Sequence, residues 1–248
     1  MNINQLLHKH NCNCGKTHVC EIKHVFIEKN VHLRLNELCA NHDSIMLVAD
    51  ENTFATCGNK VLHVLKEKKI TQVIFSGQKI LIPNESAVDT VTNSLTNCTL
   101  IIGIGSGVIQ DLCKYIAHNK HLSYYIIATA PSMDGYASKG AAMIADNMKV
   151  TYNAHVPQVI IGDIDILKDA PMEMIQSGYG DILGKFSCLN DWKLSALIND
   201  EYFCEEIYQL TFDMLKKTKD LGEALQNRQK EAVQTLMEAL VGVGIAMA

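Results

Sequence analysis

No apolar run in the chain approaches the roughly 20 residues that span a bilayer. The opening residues, MNINQLLHKHNCNC, also lack a basic region followed by an apolar core. Neither a membrane span nor a secretory leader is expected, and the expected location is the cytoplasm. Positive charge is thin: 22 Lys and Arg stand against 27 Asp and Glu, for a net charge of −5, and the lysines are scattered. That leaves no footprint for a polyanion, so nucleic acid is not an expected partner. Nor is a disulfide framework expected, because nine Cys is an odd number and the thiols, without a leader, read as reduced. What is present is an ordinary globular composition of 248 residues, 48% hydrophobic and 20% charged. That length holds one large or two modest domains.

Two phosphate-binding signatures are missing as well. The stretch TLIIGIGSGVIQDLCKYIA (residues 99–117) runs from an apolar, β-branched strand pattern through Gly-Ser-Gly into helical spacing. Val108 breaks the G-x-G-x-x-G fingerprint, and no Gly-Lys-Ser/Thr comes after it. A strand that turns into a helix through Gly103, Gly105 and Gly107 still lets backbone N–H groups approach an anion at the helix's positive end. The alternative is a tight turn and nothing more. Asp111 reads equally as a carboxylate favoured by the helix dipole.

Taken in order, residues 1–20 give no periodic signal and read as peripheral. Within them NCNCGKTHVC holds Cys12, Cys14, His18 and Cys20, four soft ligands within nine residues. The C-x-C-x3-H-x-C spacing is not that of a knuckle, so a zinc site and an exposed loop leading into an edge strand both stand. Strands are expected at 44–48, 72–75, 99–104, 124–128 and 158–161, with helices at 52–65, 85–95 and 108–117. That alternation predicts a parallel sheet covered on both faces, with ligands at the carboxyl ends of the strands. Asp50, Gly103–Asp111 and Thr129–Asp134 lie at such ends. Asp50 suits a ribose hydroxyl pair or the cap of the next helix. A small antiparallel hairpin is expected over 141–152, turning at Asp146-Asn147, and Asp163 or Asp165 caps the element after the last strand.

From about residue 166 helical spacing dominates. The expected division is an α/β domain over 1–165 and a helical domain over 166–248. A helix from Met172 carries Gly178, Gly180 and Gly184, which let a backbone or ligand come close, and Asp181 among them calls for a partner or a cation. The last helix ends in ALVGVGIAMA without a cap, so the chain is expected to be cut short there, with an exposed apolar end that drives association.

GIGSGVIQD, ATAPSMDGYAS and SGYGDILGK, in this order and spacing, resemble the glycerol-1-phosphate dehydrogenase family within the superfamily of iron-containing alcohol dehydrogenases, glycerol dehydrogenases and dehydroquinate synthases. The resemblance runs from about Cys12 to the end. It implies a Rossmann-like α/β domain that binds NAD(H) or NADP(H), a helical domain, and one divalent metal, zinc, nickel or iron, with substrate between them. By that resemblance Gly107, Val108, Ile109, Gln110 and Asp111 cradle the pyrophosphate, and Asp50 lies by the adenosine ribose. Thr129, Ala130, Pro131, Ser132 and Ser138 line the cofactor. Asp134 binds substrate, and Asp181 ligates the metal and touches substrate.

The implied reaction is hydride transfer between NAD(P)H and dihydroxyacetone phosphate, giving sn-glycerol 1-phosphate, in a homo-oligomer when full-length. The family completes its metal site with two His that are expected beyond residue 248, so these residues are expected to bind cofactor weakly and turn over little. A polyol dehydrogenase acting on dihydroxyacetone, a silent nucleotide-binding module and a metal sensor on the Cys12 cluster are the rivals. Lys185, one turn from Asp181, reads as a phosphate partner or a solvent-facing residue.

Overall fold

The structure, a computed structural model, describes residues 3–248; the first two residues of the expected first domain lie outside it. After a 3₁₀ turn (Ile3–Leu7) comes a short hairpin, β1 (His10–Asn11) against β2 (Thr17–His18). Next come β3 (His24–Glu28), α1 (Leu35–Leu38), β4 (Ser44–Asp50), α2 (Glu51–Val64), β5 (Lys69–Phe75) and α3 (Glu85–Ser94). The centre of the chain holds β6 (Leu100–Gly105), α4 (Gly107–Asn119), β7 (Ser123–Ala128), a 3₁₀ turn (Asp134–Ala137), β8 (Gly140–Ala145), β9 (Met148–Asn153) and β10 (Val159–Asp163). Helices α5 (Ile164–Leu167), α6 (Met172–Asn199), α7 (Glu205–Thr218), α8 (Gly222–Gln226) and α9 (Lys230–Ala246) complete it.

Six strands form one parallel sheet in the order β3-β10-β7-β6-β4-β5. Uninterrupted apolar strands suit this position, because both faces are buried. Along β6, Ile101 enters one core with Leu112, Cys113 and Ile116 of α4. Leu100, Ile102 and Ile104 enter the other, with Cys57 and Val61 of α2. Each such side chain contributes about 2 kcal/mol by leaving water. The sheet gains an edge strand, β3, that the sequence pattern does not announce, since only Val25 and Ile27 of HVFIE are buried.

The hairpin β8–β9 turns at Asp146 and Asn147, whose φ values of 49° and 61° are the left-handed pair a two-residue hairpin needs. Two expectations fail. The segment before β3 is not peripheral: Ile3 is buried, and His10 Nε2 lies 2.6 Å from Glu206 Oε1 of α7. Nor is ALVGVGIAMA an exposed end, because Leu240, Val241 and Val243 are buried and Met247 is the apolar side chain there that faces water. Among the described residues no helix is long and apolar enough to cross a membrane.

Candidate cofactor cleft

Because the strands are parallel, the ends of β4, β6, β7 and β10 lie side by side: Ala49 pairs with Ile104, Gly105 with Ala128, and Ala128 with Gly162. A cavity of about 1180 Å³ opens beyond them. Its wall includes Asp50, Gly107, Val108, Ile109, Thr129 and Ser132, together with Asp163, Lys60 and Lys79. Ser106 stands at the N-cap position of α4 with its hydroxyl turned to Ser132 instead of the helix, Oγ to Oγ 2.5 Å. Of the three glycines expected to form a cradle, only Gly107 is open: a Cβ there would meet nothing nearer than Met133 Cγ at 4.0 Å. At Gly105 it would strike Ile109 at 2.6 Å, so that glycine serves strand–helix packing. Asp50 performs its capping role, accepting a hydrogen bond from Thr53 N (2.9 Å), while it lines the cavity.

Five other residues of the expected cofactor set turn away from this wall. Gln110 is fully buried and its Nε2 donates to Gly135 O at 2.6 Å. Asp111 lies 3.6 Å from the buried ammonium of Lys114. Burial pulls Lys114 down to about 8 against the opposing pull of Asp111, and the same burial raises Asp111. Ala130 O accepts from Tyr136 Oη (2.8 Å), Pro131 is buried under α6, and Ser138 Oγ donates to Gly135 O (3.2 Å). Ala130, Pro131 and Ser138 belong to the loop that presents Thr129 and Ser132, and Gln110 braces that loop from α4. Gln110 and Asp111 stand one turn beyond Gly107, below the wall rather than on it, with their side chains drawn to Gly135 O and to Lys114.

The same loop carries Asp134. Its backbone N–H donates to Asp181 Oδ2 at 2.8 Å, and Lys185 Nζ lies 2.5 Å from Asp134 Oδ2 and 3.1 Å from Asp181 Oδ1. Burial lowers the Lys185 pKa, but hydrogen bonds and charge from the two aspartates outweigh it and hold the ammonium above its ordinary value. Lys185 is therefore neither solvent-facing nor free for a phosphate. Asp181 is not on the cavity wall itself. Ser177 is, and lies one turn before Asp181 on the same face of α6.

Two close approaches fix this geometry. A Cβ on Gly178 would sit 1.9 Å from Pro131 O, and one on Gly244 would sit 2.4 Å from Asp134 O. Gly180 and Gly184 face open space. The residue that sequence reasoning passed over is Lys114, and Asp163 was expected as a cap but not on the cavity wall. Lys114 bonds Gly135 O (3.1 Å) and Gly140 O (2.7 Å), and its i+3 spacing from Asp111 was the available signal. Asp163 caps α5 through Asp165 N (3.1 Å) and lies 3.3 Å from His32.

A model of iron-containing alcohol dehydrogenases matches residues 26–171, more than half of the chain and all the strands of the sheet but the first two residues of β3. The chain belongs to the iron-containing alcohol dehydrogenase family. Among curated relatives, the glycerol-1-phosphate dehydrogenase [NAD(P)+] of Halalkalibacterium halodurans is 30% identical over 246 residues, covering 95% of this chain. The chain spans 61% of that protein's length. The Saccharolobus solfataricus protein of the same name is 36% identical over 149 residues, 60% of this chain and 42% of its own length. The fold matches the glycerol dehydrogenase of Schizosaccharomyces pombe with a TM-score of 0.73 at 21% identity, over 91% of this chain and 60% of that one.

The family's description implies a metal, and the donors beside the cleft are two carboxylates. Asp134 and Asp181 share the Lys185 ammonium. Among the described residues, the one group of three or more His, Cys, Asp or Glu that could hold an ion lies elsewhere. The carboxylates here do not by themselves fit a transition metal, which favours nitrogen or sulfur donors.

Proposed function

We propose that this chain binds a nicotinamide dinucleotide in the 1180 Å³ cavity and serves a dehydrogenase that interconverts dihydroxyacetone phosphate and sn-glycerol 1-phosphate. The observation that carries the reading is the open N-terminus of α4 at Gly107, on one wall with Thr129, Ser132 and Asp50. Helix N–H groups there receive a pyrophosphate, and Asp50 has its second carboxylate oxygen left for a ribose hydroxyl. The volume exceeds the 300–1,000 Å³ common for small-molecule pockets, which suits an extended dinucleotide. The cofactor supplies the hydride. Asp134 and Asp181 are assigned to the substrate, as acceptors for its hydroxyl groups, with Lys185 balancing their charge. No step is assigned to a metal here.

The division into a cofactor domain over 1–165 and a substrate domain over 166–248 belongs to the same proposal, as does a cytoplasmic location. A homo-oligomer is also part of it, supported by Leu194, Leu197 and Ile198 exposed at the end of α6. No nucleic-acid partner is assigned. A silent nucleotide-binding module is the second reading, favoured by the absence of a nitrogen ligand beside Asp181 among the described residues.

Titration with NADH and NADPH, followed by nicotinamide fluorescence, tests the proposal. Binding that falls about tenfold in Gly107→Asp, where a carboxylate meets the pyrophosphate, is the expected result. No binding at millimolar dinucleotide would overturn it. Dihydroxyacetone phosphate and dihydroxyacetone are then compared as substrates with zinc, nickel or iron added. A preference for the unphosphorylated ketone moves the assignment to a polyol dehydrogenase, and binding without turnover of either favours the silent module.

A further inference from the structure

Sequence spacing groups Cys12, Cys14, His18 and Cys20, but the fold replaces the last of these. The described residues bring together Cys12, Cys14, His18 and Cys204, with ligand atoms all within 4.8 Å of one another. The hairpin supplies three of them. Cys12 and Cys14 lie in its turn, where Gly15 takes a left-handed φ of 85° and its N–H donates to Cys12 O (3.1 Å), and Cys12 N donates to Lys16 O (3.0 Å). Cys14 N points at Cys12 Sγ at 3.5 Å, a backbone donor aimed at a sulfur. His18 is on β2, and the buried Cys204 is the N-cap of α7.

Three of the six separations match the edges of a tetrahedron, and all six are within 4.8 Å. Zinc held by sulfur at about 2.3 Å and nitrogen at about 2.0–2.1 Å sets S···S edges of about 3.8 Å and S···N edges of about 3.6 Å. Here Cys12 Sγ to Cys204 Sγ is 3.6 Å, Cys14 Sγ to His18 Nε2 is 3.5 Å, and Cys204 Sγ to His18 Nε2 is 3.6 Å. We propose that Cys12, Cys14, His18 and Cys204 form a closed structural zinc site that fastens the N-terminal hairpin to the start of α7. Three thiolates, one imidazole and one Zn²⁺ carry a net charge of −1, and the three thiol protons leave to solvent. Lys16, whose Nζ lies 3.4 Å over the Tyr202 ring, offsets that charge, and Tyr202 Oη is 3.2 Å from Cys14 Sγ. Four protein ligands leave no open position for catalysis. The site is also remote from the cleft: none of its ligands lines the cavity, and the end of α6 lies about 27 Å along that helix from Asp181. The inference does not rest on the dehydrogenase reading.

The test is elemental analysis of the full chain purified under reducing, chelator-free conditions, with X-ray absorption at the zinc edge. One zinc per chain in three-sulfur, one-nitrogen coordination is expected. Cys204→Ser or Cys14→Ser abolishes it, while Cys20→Ser and Asp181→Ala retain it. Should those cysteine variants fail to fold, cobalt substitution of the wild-type chain gives an independent readout, with an intense sulfur-to-cobalt band expected. Overturning results are a metal-free protein whose Cys12 and Cys14 thiols react freely, a Cys12–Cys204 disulfide in place of the ion, or zinc that survives Cys204→Ser but is lost in Asp181→Ala. Iron at these ligands would overturn the assignment of the ion.

Discussion

Two polar clusters tie distant parts of this chain together, and they solve opposite problems of charge. At Asp134, Lys185 and Asp181 the protein supplies its own cation, an ammonium within 3.1 Å of both carboxylates. At Cys12, Cys14, His18 and Cys204 soft donors converge at tetrahedral distances without one. Lys114 with Asp111 repeats the first solution deeper in the core. A cluster that carries its own cation is rigid as folded, whereas one that awaits an ion makes its stability depend on that ion's supply.

Removing the internal cations breaks the comparison most strongly. Lys114→Met is expected to destabilise the fold by about 3 kcal/mol in urea denaturation, because the partly buried Asp111 loses its cation and two carbonyls lose their donor. Adding Asp111→Asn recovers part of that loss; no recovery would mean that the carbonyl bonds dominate. Lys185→Met is expected to cost about 2 kcal/mol, since its partners are partly wet, and to make the variant gain stability from added divalent cation. A variant indifferent to such cations would deny that Lys185 occupies a cation's place.

Gly178→Ala forces a Cβ onto Pro131 O and is expected to cost about 1–3 kcal/mol together with a loss of dinucleotide affinity. Gly180→Ala, which meets nothing, should stabilise by up to about 1 kcal/mol. Equal effects at the two positions would place the loop contact in error.

The smallest expected effect is acid sensitivity. Burial, then His118, Lys114 and other nearby cations hold the His155 pKa below 6.5, against the opposing pull of Glu21. The folded state therefore binds fewer protons there than the unfolded state. That contribution is complete above pH 6.5 and is lost as pH falls through 6.5 toward the depressed value. His155→Gln should narrow the drop in urea midpoint between pH 7.5 and 5.5, and an unchanged drop would place the sensitivity elsewhere.

Most of the sheet was readable because β4, β6, β7 and β10 are unbroken apolar runs and the helices between them carry caps and spacing. β3 was not, since an edge strand buries only alternate residues and its pairing with β10 spans more than a hundred residues. Within the site, Asp50, Gly107, Thr129 and Ser132 reached the cavity wall, but a motif fixes position and not the direction of a side chain. Gln110 and Asp111 face the core for that reason. Cys204 was out of reach: it stands 186 residues from His18, and no local pattern marks it. Lys114 escaped because a fully buried lysine runs against ordinary usage.

The loop between β7 and β8 has one further consequence. Gly135 O alone receives Gln110, Lys114 and Ser138, while α6 and α9 press backbone against Pro131 and Asp134. Thr129 and Ser132, proposed for the cofactor, and Asp134, proposed for the substrate, are thus parts of one stiff hinge-less piece. A substitution that re-aims one end drags the other, so drift toward a new substrate in this scaffold has to proceed by paired changes, with single steps penalised.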